Sequence, residues 1–534
     1  MTYRAPPVLG IDLGTTNTVA AAFAGDGIQI IHDHDGSSLF PSVVAFAPNG
    51  DLLVAADAKV RRVIDPQNTI YSSKRLIGRS FRDPATQTVN KALPYRIVEG
   101  NNQEPMVQTR AGLHALPQIA SFILAHVMRY TEVQMGAKIN QCVITVPANF
   151  TDSQRAATRH AAQLAGLEVL RILNEPTAAA LAYGHVTSRD QRIAVFDMGG
   201  GTFDLTVLAT RKGLCEVIAT GGDPFLGGDD MDQAIADHLA VAFLESERVD
   251  LRSIPESYSR LLLIAEDIKQ RLTESVLVED VIREIAYGVG GKPLDLSFRL
   301  RRERFEHLIN HLVDRSLDCA AGVLREAGMA PGQLDALVLV GGATRVPLIR
   351  KRLEERFGLK PRVEINPLEV VAMGAAMQAV RLVAPDMGDD EATLLVDVTS
   401  HALGLGTTAG FVEHLVLKNT PIPAEGRQVF TTSQDGQTTV RIRVSQGSSR
   451  HYVDNTPVGE LRLTNLRPAP RGEVKVEVAF LIDADGTLSV SAQDLESGRR
   501  EEATLHLIGV DLGGGTAPAT FPTGGSASPP GLPE

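Results

Sequence analysis

Up to about residue 385, short apolar runs alternate with stretches of helical spacing. VVAF (43–46), QCVITV (141–146), RIAVFD (192–197) and ALVLVGG (336–342) are aliphatic or β-branched runs that end in turn residues, the signature of buried strands. Between them the pattern predicts helices. TDSQRAATRHAAQLAG (151–166) opens on a capping box, Thr151 with Gln154, and closes on Gly166. EPTAAALAYG (175–184) carries Pro176 near its start and Gly184 at its end, and 301–328 keeps helical spacing up to Gly328. Strand and helix in alternation predict an α/β body.

From about residue 390 the period changes from helical to two. Val440, Ile442 and Val444 alternate with Arg441 and Arg443. Val474, Val476, Val478, Phe480 and Ile482 fall on one side of the next strand, and an Asp-Gly turn at 485–486 leads into TLSVSAQD (487–494). Several such strands predict an antiparallel β-sandwich of roughly a hundred residues.

The two textures meet at EATLLVDVTS (391–400), where Leu394, Leu395 and Val396 follow an acidic patch of Asp386, Asp389, Asp390 and Glu391. Three large aliphatics in a row either begin the first sandwich strand or form a linker that docks on a neighbouring domain, and the second reading is preferred. The stretch 511–534 is rich in Gly, Pro, Ser and Thr and is expected to be disordered. The expected organisation is 1–388, an α/β domain; 389–398, an apolar linker; 399–510, the sandwich; and 511–534, a tail.

Composition narrows the function. A length of 534 residues predicts several domains, and the absence of Trp implies aliphatic cores. A net charge of −12 lacks the basic field that general nucleic-acid binding needs. The three cysteines, Cys142, Cys215 and Cys319, are too far apart for a zinc-ligand spacing or a disulfide framework, so a reducing cytoplasm is expected. No apolar run is long enough to span a membrane and no signal peptide is recognised, so no membrane partner is expected.

The candidate chemistry lies in two similar stretches, GIDLGTTNT (10–18) and VFDMGGGTFDLT (195–206). Each reads as a strand ending in Asp, a tight Gly/Thr turn and a second strand. Glycines let backbone N–H groups approach phosphate oxygens, and threonine hydroxyls add donors. An aspartate facing phosphates has to act through a cation, read here as Mg²⁺ with its waters. Two such hairpins in separate α/β halves suggest two lobes gripping one triphosphate. A third look-alike, GVDLGGGT (509–516), runs into APATFPTGG with no second strand and is read as chance resemblance.

At these residues the sequence resembles the seventy-kilodalton heat-shock chaperone family. SSKRLIG (72–78), VITVPANF (143–150), RILNEPTAAALAYG (171–184), FLGGDDMD (225–232), LVGGATRVP (339–347), INPLEVVAMGAA (365–376), KNTPIP (418–423) and QVFTTSQDGQTTV (428–440) extend the resemblance over residues 8 to about 508. It implies a two-lobed actin-like ATPase, a hydrophobic linker and a peptide-gripping sandwich. Gly14, Thr15, Thr16 and Asn17 would hold one side of the phosphates, with Asp197, Gly200, Gly201 and Thr202 on the other. Asp12, Asp204 and Glu175 would place Mg²⁺ through its waters, with K⁺ as an accompanying cation. Lys74 would hold the attacking water and neutralise the γ-phosphoryl group. Adenosine would lie between Glu266, Lys269 and Thr273 and the Gly341, Gly342, Ala343 and Arg345 turn. Taken alone, Glu266 and Lys269 at i, i+3 read as a surface ion pair.

Arg171 and Asp397, with Leu394 and Leu395, resemble positions that couple the ATPase to the linker and to J-domain helpers. Leu405, Phe430, Val440 and Ile442 would line a peptide cleft, although alternation places such residues in a plain core equally well. Thr408 and Ser433 stand at the cleft rim, where larger apolar groups are expected. Leu368 and Gln270 depart from the residues usual at their positions, which bears on adenine or ribose contacts. No helical lid is recognised after the sandwich, and fast peptide exchange is expected from that.

The reading is an ATP/ADP-cycling chaperone, a monomer served by a J-domain co-chaperone and a nucleotide-exchange factor and acting on unfolded or extended peptides. The alternatives are an actin-like filament former, a metabolite kinase of the same superfamily and an ATP-sensing regulator.

Overall fold

The structure is a computed structural model, and it describes residues 7–504 apart from 24–26, 188–189, 212–213, 363–364 and 385–393. Two mixed sheets organise the first part of the chain. In one, the strands run in the order Glu168–Asn174, Gln141–Val146, Leu9–Leu13, Asn17–Phe23, Ile28–Ile30. In the other, they run Ala336–Val340, Gln191–Met198, Phe203–Arg211, Leu214–Asp223. Both repeat one plan. The first strand of each hairpin lies antiparallel to its successor and parallel to a strand much later in the chain, Gln141–Val146 or Ala336–Val340.

These central strands read as unbroken apolar runs because packing covers both of their faces. Leu9, Ile11, Val195 and Phe196 are fully buried. Small residues decide how close the covering helices come. Helix Val370–Val383 crosses Glu175–Thr187 so closely that a Cβ on Gly374 would meet the Ala178 carbonyl oxygen at 1.8 Å. The run of alanines from Ala178 to Ala180 makes that approach possible, and it joins the two lobes through one shared apolar cluster. Separate cores fill each lobe, around Phe40, Phe150 and Ile123 in the first and Phe196, Phe243 and Phe305 in the second.

The capping box at Thr151 forms. The Gln154 N–H donates to the Thr151 hydroxyl at 3.4 Å, and the Thr151 N–H donates to the Gln154 side-chain oxygen at 3.1 Å. The helix that begins at Glu175 runs past the expected stop at Gly184 to Thr187. Its neighbours supply enough burial to outweigh one glycine's helix propensity.

The sandwich has the alternation read from the sequence. One sheet orders Val412–Val416, Leu403–Gly406, Val440–Gln446, Thr456–Leu463, and the other Ala424–Thr431, Lys475–Ile482, Leu488–Asp494, Arg500–Thr504. Val474, Val476, Val478, Phe480 and Ile482 all point into its core. Each such side chain contributes about 1.5–3 kcal/mol on burial.

Between these bodies, Leu394–Val398 forms a strand that belongs to the second α/β sheet. It pairs in parallel with Leu214–Asp223 and antiparallel with Pro421–Ile422 of the sandwich region. The apolar run is therefore a strand, but one that docks on the second α/β sheet and is not the first strand of either sandwich sheet. Its acidic approach, residues 386–391, lies outside the described residues, as do the look-alike turn at 509–516 and the expected tail 511–534.

Candidate functional site

The two Gly/Thr turns face each other across the space between the lobes. A Cβ on Gly200 would meet the Thr16 hydroxyl at 1.7 Å, and one on Gly201 would meet the Thr15 methyl at 2.6 Å. Only a residue without a side chain allows this approach at Gly200. The first turn is held by Ser42, whose N–H donates to the Thr16 carbonyl and whose hydroxyl donates to the Gly14 carbonyl, both at 2.8 Å. The second is held by helix Gly228–Glu247. The N–H groups of Gly228 and Asp229 donate to the carbonyls of Gly199 and Gly200 at 2.9 and 2.8 Å.

Between the turns lies a cavity of ≈ 310 Å³. Asp12, Gly14, Thr15, Thr16, Asn17, Lys74, Glu175, Asp197, Gly200 and Thr202 line its phosphate-facing end. Glu266, Lys269, Thr273, Gly341, Gly342, Ala343 and Arg345 line the other, beside Gln270 and Leu368. The structure thus gathers residues more than 300 positions apart into one chamber. Two expected residues stand back from it. Neither Gly201 nor Asp204 borders the cavity, and Asp204 stands beside Asp197, its direct partner across the hairpin ladder. Asp204, expected to act on magnesium through its waters, is almost wholly buried beside Asp197 and within the field of Glu175 and Lys74.

The electrostatics of the chamber call for a cation. Lys74 donates to Glu175 at 2.7 Å with both side chains buried, and among the described residues it is the one ammonium against Asp12, Glu175, Asp197 and Asp204. Burial, then the Glu175 charge, pushes the Asp12 carboxyl up to about 7, against pull-down from Lys74 and Thr145. The same two causes hold Asp197 and Asp204 well above the usual carboxylate range. One Asp204 oxygen and both polar atoms of the Asn149 amide are buried without a partner. Among the described residues no three ligating side chains converge tightly enough to hold a metal directly. A divalent cation held through its water shell fits this set, because it would satisfy both the surplus charge and the orphaned atoms.

At the far end, Glu266 and Lys269 do not form the surface pair that their spacing suggested. Both are withdrawn from solvent and each has another partner. Lys59, from the opposite lobe, donates to Glu266 at 2.9 Å, and Lys269 donates to Asp232 at 2.7 Å. Thr273 turns its hydroxyl back to the Gln270 carbonyl at 2.6 Å. Ala343 is buried and Arg345 exposed on the opposite turn. Leu368 packs beside Gly342 and forms part of the wall.

The linker reaches the chamber through Asp397. Asn174 donates to its carboxylate at 2.8 Å and Thr177 at 3.2 Å, so residues on either side of Glu175 hold it. Leu395 packs on the core shared by the lobes, and the Leu394 backbone pairs with Leu214. Arg171 donates to the Ala484 carbonyl at 3.2 Å and faces Asp485 at 3.6 Å, while Arg159 holds Asp485 at 2.7 Å. His401 meets the Asn149 carbonyl at 3.0 Å. Asn149, Asn174 and Thr177 were not singled out by sequence, although VPANF and NEPT contain them. Their partners lie more than 200 positions away.

In the sandwich, Leu405 and Ile442 are committed to the core between the sheets, and Phe430 and Val440 pack half-buried at its edge. Thr408 and Ser433 are exposed on turns, the latter with its N–H on Gln437 at 2.9 Å.

The chain matches the family described as Hsp70 protein over residues 8–510, from the first phosphate-facing strand to beyond the last described sandwich strand. Paired Gly/Thr hairpins facing across one acidic chamber, a strand-forming linker and a sandwich behind it are what that match covers. The chain belongs to the Hsp70 family, whose members are nucleotide-binding ATPases of the chaperone class.

Proposed function

We propose that this protein hydrolyses Mg·ATP between its lobes and uses the result to set its grip on extended apolar segments of unfolded proteins. The observation that carries this reading is the contact of Asn174 and Thr177 with Asp397. The segment that presents Glu175 to the chamber also holds the strand that joins the ATPase to the sandwich. A shift of Glu175 that follows the γ-phosphoryl group would move its flanking residues and weaken that hold. The nucleotide state would then bias the linker between docked and free populations.

In the chamber, the turn amides and the Thr15, Thr16 and Thr202 hydroxyls would receive the phosphate oxygens. Glu175 would fix the position of the Lys74 ammonium, which would orient the attacking water and offset charge on the transferred group. Magnesium, when bound, would neutralise phosphate charge, and Asp12, Asp197 and Glu175, with Asp204 beside Asp197, would hold it through its waters. K⁺ would be an accompanying cation. Leu405 and Ile442 lie inside the docked sandwich, so opening a peptide cleft would require the loops around them to part. Clients would therefore be gripped in a different arrangement of the two bodies.

A filament former or a metabolite kinase has no use for a linker strand hydrogen-bonded between an ATPase sheet and a sandwich. The expected partners are apolar peptides, a J-domain protein and a nucleotide-exchange factor, with the chain a cytoplasmic monomer. The test is ATP turnover of the full chain alone, with an apolar peptide, and with a J-domain protein. Stimulation by both supports the reading, and turnover indifferent to both contradicts it.

A further inference from the structure

A second cavity, of ≈ 430 Å³, is larger than the nucleotide chamber and lies between the same two lobes. The Thr15–Thr16 turn and Glu266 border both spaces, but otherwise the second is walled by different residues. The first lobe contributes Arg62, Tyr71 and Arg75 from the segment before and within the Lys74 turn, and helix Pro84–Ala92. The second lobe contributes Phe225, Leu262 and the start of helix Gly228–Glu247. Its volume falls in the range of about 300–1,000 Å³ usual for small-molecule sites.

The polar atoms of this wall are unevenly satisfied. Its carboxylates already have partners. Asp229 accepts from Thr16 at 3.1 Å and Ser72 at 2.6 Å, Asp230 from Arg75 at 2.7 Å, Glu266 from Lys59 at 2.9 Å, and Asp232 from Lys269 at 2.7 Å. The donors are left over. Arg62 Nε, Arg75 Nε and the Tyr71 hydroxyl are buried without a partner, against a single spare acceptor, Asp232 Oδ1. The Arg62 guanidinium lies 3.7 Å over the Tyr71 ring, which fixes its plane, and its nearest carboxylate, Glu266, is 4.0 Å away. Buried donors without acceptors are costly and are rarely left so. Facing them is an apolar wall of Val43, Val89, Leu93, Phe225 and Leu262.

We infer that this cavity is a second ligand site, for a small organic molecule with one oxyanionic end and an apolar body. The oxyanion accepts from the Arg62 guanidinium and, where the wall beside it yields, from the occluded Tyr71 hydroxyl and Arg75 Nε, and the body packs on the aliphatic and aromatic wall. The site touches both lobes, so an occupant ties them together. Resting on the nucleotide reading for this last step, the occupied site tightens nucleotide binding, chiefly by slowing its release, and bound nucleotide raises the affinity of the site by the same factor as its own affinity is raised.

The chain contains no tryptophan, which allows a reporter confined to the cavity. Gln233 is exposed at the rim on the second lobe and Thr88 on the first. The probe is 8-anilino-1-naphthalenesulfonate, a sulfonate on an aromatic body. With full-length Gln233→Trp, and separately Thr88→Trp, energy transfer from tryptophan to the probe is followed without nucleotide. Saturable transfer is expected from at least one reporter, weakened at least about fivefold by Arg62→Met and about two- to fivefold by Tyr71→Phe in the same background. Tyr71→Phe removes only an unpartnered hydroxyl, so it keeps the test open if Arg62→Met does not fold. No saturable transfer from either reporter, or affinities untouched by both substitutions, overturns the site. Release of a fluorescent ADP analogue at saturating probe is expected to slow severalfold, and an unchanged rate overturns the coupling. Absence of Mg·ADP binding in calorimetry would instead count against the nucleotide reading, and the transfer experiment stands without it.

Discussion

The two phosphate-facing hairpins share a plan and differ in charge. In the first, Asp12 stands opposite Val19 across the ladder, while in the second Asp197 stands opposite Asp204. The first turn is pinned by Ser42 hydroxyl and amide contacts, the second by the amino end of a 20-residue helix. The first hairpin therefore supplies a single carboxylate on a turn braced by Ser42, and the same lobe adds Glu175 from just past the end of strand Glu168–Asn174. The second hairpin supplies a stacked pair on a turn braced by backbone. Repetition fixes where phosphates can sit, but the second hairpin carries the heavier demand for a cation.

That asymmetry can be attacked at several points, the largest effect first. Among the described residues Lys74 is the one ammonium in the acidic cluster, so Lys74→Ala is expected to lower turnover about 10²–10³-fold with nucleotide affinity nearly unchanged, by single-turnover kinetics and calorimetry. Asp12→Asn and Asp197→Asn are each expected to cost about ten- to a hundredfold in magnesium-dependent turnover, and Asp204→Asn clearly less. Equal losses from Asp197 and Asp204 would erase the distinction between the carboxylate that lines the cavity and the one buried beside it. Gly200→Ala places a Cβ 1.7 Å from the Thr16 hydroxyl, whereas at Gly199 the nearest atom is 3.9 Å away. Nucleotide affinity is expected to fall about tenfold in the first and to stay near wild type in the second.

Acidity gives a smaller and slower signal. The Asp12 carboxyl, pushed from 3.8 up to about 7 first by burial and then by Glu175, binds its proton more tightly in the folded protein than in the unfolded chain. Its contribution to stability is present at low pH and is lost as pH rises through about 7. Without nucleotide or magnesium, Tm is expected to fall between about pH 5 and about pH 7.5 more steeply in the wild type than in Asp12→Asn. Mg·ADP should oppose that fall, because a cation replaces the proton as the compensating charge.

The hairpins were legible in the sequence because their chemistry is local. Aspartate, glycines and threonines within a few positions carry the whole arrangement. The sandwich was legible for a similar reason, since a period of two survives without knowledge of partners. What stayed hidden depends on contacts between distant segments. The burial of Asp204 beside Asp197 follows from what packs over that strand. Glu266 and Lys269 look like partners on one helix, but Lys59 from the other lobe and Asp232 capture them instead. Asn174 and Thr177 gain their role only when Asp397, some 220 positions on, folds back beside them. The linker was half legible. Its apolar run was plain, but its membership of the ATPase sheet required the exposed edge of Leu214–Asp223 to be known.

The central claim is that one magnesium nucleotide closes both hairpins and reports its state through Asp397 to the linker strand. Amide hydrogen exchange of the Lys74→Ala protein tests it most directly, compared without nucleotide, with Mg·ADP and with Mg·ATP. The account predicts joint protection of residues 12–18 and 197–204 by either nucleotide, and exchange at 394–398 that differs at least about tenfold between ADP and ATP. Protection of one hairpin without the other, or linker exchange identical in the two nucleotide states, would contradict it.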